Sequence, residues 1–217
     1  MIKIENIHKA YGKKVVLNNI SLCANNGEAI GILGANGSGK STLLSTIAKQ
    51  YASNKDFKLG YLPQNNPLFD ELKPIDNIRM WTSLSKYEIQ NKLNESPLLD
   101  MGIKNFLDTP VSKMSGGMKK RLSLATVLIN NPDVLLLDEP FAALDLVAKR
   151  DILAIMSSFL QNNKTIIVAS HDEDVFRFCN KVYLLSNGSL FDTKELQQNN
   201  ISYVDILRRN QWVNLIY

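Results

Sequence analysis

Eight consecutive residues, Gly34-Ala35-Asn36-Gly37-Ser38-Gly39-Lys40-Ser41, place glycines, a lysine and a hydroxyl at the spacing G-x-x-x-x-G-K-[ST]. Glycines allow successive backbone amides to turn inward around phosphate oxygens. A helix starting at Lys40 adds the positive end of its dipole, and the lysine brings a point charge to the outer phosphates. Ser41 supplies a hydroxyl for Mg2+, and Thr42 follows it in the same first turn. A second group, Asp138-Glu139, closes the apolar run Val134-Leu135-Leu136-Leu137. Adjacent carboxylates at a strand end can divide the work of an in-line phosphoryl transfer: Asp138 holds Mg2+ through its water shell, while Glu139 orients the attacking water or accepts its proton. A third group, Ser115-Gly116-Gly117, opens a helical stretch, where a hydroxyl and free amides make another anion-binding surface. Singly, each group has a bland reading: a strand cap for the acidic pair, an ordinary N-cap for the serine and glycines. Their co-occurrence carries the chemistry.

These groups need elements to position them. Residues 2–22 alternate loosely (Ile2, Ile4; Val15, Leu17; Ile20, Leu22) around Tyr11-Gly12-Lys13, predicting paired, half-buried antiparallel strands. Residues 28–33 form a short apolar strand that runs into the glycine loop, and 40–50 reads as helix. From 65 to 130 the pattern turns helical. Ser85 and Glu88 make a capping box with Ile89 and Leu93 behind it, and Met118, Leu122, Ala125 and Ile129 fall on one stripe. Continuous apolar runs at 134–137, 165–169 and 182–185, with helix at 146–160, predict strands buried on both faces of a parallel sheet. The expected organisation is one domain over 1–217, with an α/β lobe from 1–64 and 131–217 and an inserted helical lobe from 65–130.

The bulk properties exclude several classes. The chain has 217 residues, 45% hydrophobic and 21% charged, with a net charge of +4, which fits a single packed domain. The basic residues are scattered except for Lys119-Lys120-Arg121, which reads as a solvated helix face, so no direct nucleic-acid partner is expected. Two cysteines, Cys23 and Cys179, are too few for a disulfide framework and suit a reducing cytosol. The start lacks the apolar stretch of a signal peptide, and no run approaches the roughly 18 apolar residues that span a bilayer. Any membrane role is expected to come through a partner. The role of 195–217 is not legible.

Met114-Ser115-Gly116-Gly117-Met118, placed just before the strand that ends in two carboxylates, resembles the Leu-Ser-Gly-Gly-Gln signature of the ABC ATPase family. The resemblance covers about Met1 to Leu190 and implies the α/β fold of a P-loop NTPase with a mostly parallel core sheet, an N-terminal antiparallel β part and an inserted helical lobe. By this resemblance, Tyr11 stacks on the adenine of ATP. Gln64, in Tyr61-Leu62-Pro63-Gln64, reaches the metal and attacking water. The loop Ala143-Leu144-Asp145 crosses a dimer interface, and His171 contacts the γ-phosphate. Glu139, His171, Gln64 and Lys40 are then the catalytic set. The nucleotide is held by Tyr11, Gly34 through Thr42, and Ser115 to Gly117, and Mg2+ by Ser41, Gln64 and Asp138.

Two departures stand out. Met114 and Met118 replace the signature's Leu and Gln, and Gln64 follows Lys40 by only 24 positions, so part of the antiparallel hairpin usual there should be missing. In this family one subunit's phosphate loop and another's signature close over the same ATP, which implies a second ATPase subunit, most simply an identical one. The first functional expectation is a transporter ATPase, resembling the separately encoded ATPases of bacterial exporters. It would work with a separate transmembrane permease, in the cytoplasm at the inner face of the membrane. The alternative is a soluble ABC ATPase for assembly, such as iron-sulfur delivery. Repair-type relatives have long coiled coils and translation-type relatives two ATPase domains, and neither feature occurs here. A non-enzymatic nucleotide-binding module would lack Glu139 or His171. Between Gln64 and Trp81, Phe69 is expected to face the permease, whereas Ile78 and Trp81 are expected to fill the core.

Overall fold

In the computed structural model, residues 1–65 and 67–194 are described. Strands β1 (Ile2–Tyr11) and β2 (Lys14–Ala24) pair antiparallel through a two-residue turn at Gly12-Lys13, where Gly12 adopts a φ of 58°. A positive φ of this kind is what a tight hairpin turn requires of its first residue. The rest is one six-stranded sheet in the order β4-β5-β6-β3-β7-β8. It comprises β3 (Ala29–Leu33), β4 (Leu59–Leu62), β5 (Val134–Asp138), β6 (Thr165–Ser170), β7 (Lys181–Ser186) and β8 (Ser189–Asp192). All neighbours run parallel except β7 and β8.

Helix α1 (Lys40–Gln50) buries Leu43, Leu44 and Ile47, spaced as one helical face, together with the β1–β2 hairpin on one side of the sheet. Side chains of that size contribute on the order of 2 kcal/mol each on full burial. The opposite side is covered by α4 (Gly116–Leu128), α5 (Leu146–Gln161) and the helical segment between β4 and β5. That segment contains α2 (Pro74–Arg79), α3 (Lys86–Lys92) and several 3-10 turns. The Ser85–Glu88 capping box forms as expected: the Ser85 hydroxyl accepts from the Glu88 amide while the Glu88 carboxylate accepts from the Ser85 amide. A sixth helix, α6 (Glu173–Phe178), follows β6.

Several elements differ from the sequence expectations. Strand β4 and the antiparallel β8 carry no period-2 signal of their own, because both are four residues long. Residues 51–58, by contrast, form turns and bends, so α1 reaches β4 without an intervening strand, as the short interval from Lys40 to Gln64 implies. Strand β7 is not buried on both faces: next to the antiparallel β8 only Val182 and Leu185 are buried, and its other four residues are half-buried. Finally, Lys119-Lys120-Arg121 is no solvated face. Lys119 pairs with Asp70 at 3.0 Å, Arg121 lies over the Phe106 ring, and Lys120 is buried. Helix α4 is enclosed on most sides, which explains why its single apolar stripe was too narrow a description.

Candidate active site

Strand register builds the site. Ile32 of β3 and Asp138 of β5 both pair with Ala169 of β6, so the carboxyl ends of three central strands align in one row. Leu62 of β4 pairs with Leu137, which brings Pro63 and Gln64 out beside Asp138 and Glu139. Such an edge of a parallel sheet, where loops leave in different directions, is the natural crevice of an α/β fold.

From β3 the chain enters the glycine loop. Gly34 cannot carry a side chain: a Cβ there would lie 2.5 Å from Ser38 Oγ and 2.9 Å from the Leu185 carbonyl. Gly39 adopts a φ of 105° and presses against Val16, where a Cβ would come within 2.9 Å of Val16 Cγ1. This contact seats the β1–β2 hairpin on the loop and brings the exposed Tyr11, at the hairpin tip, to the same side of the molecule. Gly39 also forms the cap of α1 with no side-chain hydrogen bond and no acidic residue in the first turn. The first amides of α1 are therefore donors without a side-chain acceptor, at the positive end of the helix dipole. The Lys40 ammonium, 7% exposed, donates to the Gly34 carbonyl at 2.8 Å and the Ala35 carbonyl at 3.4 Å, and lies 3.7 Å from Glu139 Oε1.

Glu139 is the hub. Its φ is 47°, a left-handed conformation that a non-glycine residue takes at a cost of about 1 kcal/mol. That turn directs its buried carboxylate back into the cleft. There it accepts from Ser170 Oγ at 3.2 Å and lies 3.0 Å from His171 Nδ1. Ser170 is buried and was not singled out in the sequence; its only signal there is its position next to His171. A cleft of about 200 Å3 opens beside these groups, lined also by Ala143, Lys149 and Asp172.

Asp138 is 1% exposed, and its Oδ1 has no hydrogen-bond partner. Burial pushes its carboxyl above the usual range, opposed by the Ser41 hydroxyl and reinforced by the Glu139 charge. A buried acceptor with nothing to accept from is what a cation ligand looks like without its ion, so the donor set fits Mg2+. Ser41 and Gln64 are exposed at the same edge, and Asn36 and Gly37 form the outer rim of the loop.

Ser115 caps α4, accepting from the Met118 amide at 3.3 Å. Gly117 is pinned against α5, where a Cβ would meet Ala148 Cβ at 2.9 Å, while Gly116 is open, its nearest neighbour being the Ala143 carbonyl at 3.7 Å. Asp145 caps α5 by accepting from the Ala148 amide at 2.8 Å. The structure thus joins Lys40, Asp138, Glu139, Ser170 and His171 in one cluster. It places Ser115 to Gly117 in another, beside the Ala143-Leu144-Asp145 loop.

A strand, glycine loop and helix, with paired carboxylates on a neighbouring parallel strand, define a phosphate-loop nucleotide-binding protein. Residues 17–142 match the family model described as ABC transporter, which spans more than half of the chain. The chain is 31% identical over 217 residues to an uncharacterized ABC transporter ATP-binding protein of Methanocaldococcus jannaschii, covering 95% of this chain and 82% of that one. It is 32% identical over 186 residues to the lantibiotic transport ATP-binding protein SrtF of Streptococcus pyogenes, covering 79% and 80%. The dimeric structure of MJ0796, a bacterial ABC transporter cassette, superposes with a TM-score of 0.72 at 25% identity, over 88% of this chain and 96% of that one. The chain belongs to the ABC transporter family and is an ABC-type ATPase.

Proposed function

We propose that this chain is the ATP-hydrolysing subunit of a membrane transporter, working as a dimer with two ATP molecules at its interface. The observation that carries the reading is the separation of two anion-binding loops within one chain. The phosphate loop abuts Val16, Leu17 and Leu185, whereas the signature abuts Ala143 and Ala148. Each loop has different neighbours, so the signature's free amides are available to a nucleotide held by a second copy. Beside them, Leu146 and Val147 are 65% and 70% exposed, an apolar pair suited to burial on dimerisation. The dimer of the MJ0796 cassette supports the same assembly.

In this reading Gly34 to Thr42 cradle the phosphates, and Lys40 turns its donors to them. Glu139 orients the attacking water and takes its proton, with Ser170 and His171 holding the carboxylate. Asp138, Ser41 and Gln64 hold Mg2+, which when bound neutralises charge on the phosphate oxygens. Residues 65–130 act as a helical lobe carrying the signature, and 1–64 with 131–217 as the α/β lobe.

Tyr11 is proposed to stack on adenine. Its ring is 58% exposed and carries Lys9 Nζ 5.2 Å from its centroid, leaving one face open. Tyr11→Ala is expected to weaken ATP binding several-fold, about 1 kcal/mol for a lost stack. Titration calorimetry measures it, and an unchanged Kd would assign the base to other contacts.

The transporter partner is proposed to dock along the segment from Gln64 to Trp81. Phe69 is 47% exposed, but its backbone is fixed on both sides by the buried Asn77, whose side chain accepts from the Phe69 amide at 2.8 Å and donates to its carbonyl at 3.1 Å. Ile78 is fully buried, as expected, while Trp81 is 48% exposed, contrary to expectation. Its indole donates to the Pro67 carbonyl at 3.1 Å and lines a cavity of about 490 Å3 with Phe57, Tyr61 and Pro63. Helix α2 ends at Arg79 and is capped at Met80, so Trp81 lies beyond it and does not share the inner face that buries Ile78. Phe69→Asp should leave folding and ATP binding intact and remove association with a permease, read by co-purification from detergent-solubilised membranes. A multi-span protein recovered with the wild type selects transport over an assembly role. Its retention by Phe69→Asp would move the docking site elsewhere. Among the described residues no helix is long and apolar enough to cross a membrane, so the chain is proposed to reach the inner membrane face through that partner.

A further inference from the structure

Lys120 is a lysine in the wrong place for a surface charge. It is 3% exposed, on the helix that begins with the signature, and among the described residues its ammonium makes no hydrogen bond or ion pair. Its position follows from the packing of α4 on β4. That contact is tight at Gly60, where a Cβ would lie 2.5 Å from Val127 Cγ1. Lys120 precedes Val127 by two helical turns and so points to the same side of α4, about 10 Å nearer the helix start. Asp138 pairs one residue beyond Leu137, itself level with Leu62, and so lies three strand positions, again about 10 Å, beyond Gly60 in the same direction. Helix α4 runs antiparallel to β5, so the two displacements match and the Lys120 stem ends level with the buried Asp138 carboxylate.

The electrostatics agree with this placement. Burial pulls the Lys120 ammonium below the ordinary lysine range, and the Asp138 charge pulls it back up. The same carboxylate is felt on β4, where burial and Asp138 together push the Tyr61 phenol up to about 12. Asp138, with its unpartnered Oδ1, thus interacts with the Ser41 hydroxyl and feels the charges of Glu139, Lys40 and Lys120 together.

We infer that Lys120 is a positioning residue that competes with the divalent cation for the charge of Asp138, and so ties the start of the signature helix to the state of the metal site. Without a cation the ammonium is attracted to Asp138 and holds the head of α4 toward the sheet edge. When a cation takes Asp138, that attraction becomes repulsion between two positive charges in a poorly solvated space, and α4 is released. The inference rests on the reading of Asp138 as the metal ligand.

The test is Mn2+ binding to the full chain with saturating ADP, measured by electron paramagnetic resonance, which requires no turnover. Lys120→Met keeps the volume and removes the charge, so it should bind Mn2+ about three- to tenfold more tightly than wild type. Lys120→Arg should restore wild-type affinity, which a merely space-filling role would not predict. ADP affinity measured in EDTA should stay the same in all three proteins. If Lys120→Met does not fold, Lys120→Gln carries the same expectation. Unchanged Mn2+ affinity in the charge-free variant, or equal tightening in Lys120→Arg, overturns the inference. Asp138→Asn separates the two readings. If it keeps wild-type Mn2+ affinity, the assignment of Asp138 fails. If it loses Mn2+ while Lys120→Met matches wild type, only the role of Lys120 fails.

Discussion

Glu139→Gln should bind ATP as well as the wild type and hydrolyse it at least about 100- to 1000-fold more slowly, a loss in the range seen when a positioned general base or charge-stabilising group is removed. The substitution is nearly isosteric at a residue that is 6% exposed, so the cleft keeps its shape, and glutamine can take the same left-handed backbone conformation. The amide oxygen can still accept from Ser170. What disappears is the negative charge that lies 3.7 Å from the Lys40 ammonium and 3.0 Å from His171 Nδ1. Lys40 then has one fewer competitor for the phosphates, so affinity should hold or rise. With binding intact and chemistry blocked, the ATP-closed dimer should accumulate, visible as a shift in elution by size-exclusion chromatography with ATP but not with ADP. Turnover at the wild-type rate would make Glu139 a strand cap and place the base elsewhere.

Mixing two inactive variants should regenerate activity if the signature serves its partner's nucleotide. Lys40→Ala removes the phosphate contact from one chain. For the other chain the structure favours Gly116→Asp over a change at Gly117, because Gly117 is in contact with Ala148 and would have to displace α5. An aspartate at Gly116 has room and suits a helix start, yet sets a negative charge where the partner's phosphate would arrive. Each variant alone should be nearly inactive. In a mixed dimer one site combines both defects, while the other combines an intact phosphate loop with an intact signature. Random assortment then gives about a quarter of wild-type activity, since half the dimers are mixed and each has one working site. If verified mixed dimers remain at the level of the parents, composite sites are ruled out.

The sequence by itself determined the elements whose physics is local. The glycine loop is legible because phosphate cradling demands glycines, a lysine and a hydroxyl at fixed spacing. Helix α1 is legible from Leu43, Leu44 and Ile47, and β5 and β6 from runs that only a two-faced buried strand tolerates. The capping box at Ser85 depends on residues three apart and formed as read. Other features depend on partners distant in the chain, and only the tertiary structure decided them. Strands β4 and β8 exist because β5 and β7 offer them hydrogen bonds, which four residues of sequence do not announce. Ser170 meets Glu139 only because the turn at Glu139 brings its carboxylate back over β6. Lys120 is the clearest case. In sequence it belongs to a basic run that reads as solvated, yet the close approach of Val127 to Gly60 rolls that face of α4 inward and buries the charge level with Asp138. Charge patterning along a chain reports what a helix carries; which side of it meets water is set by the strand it packs against.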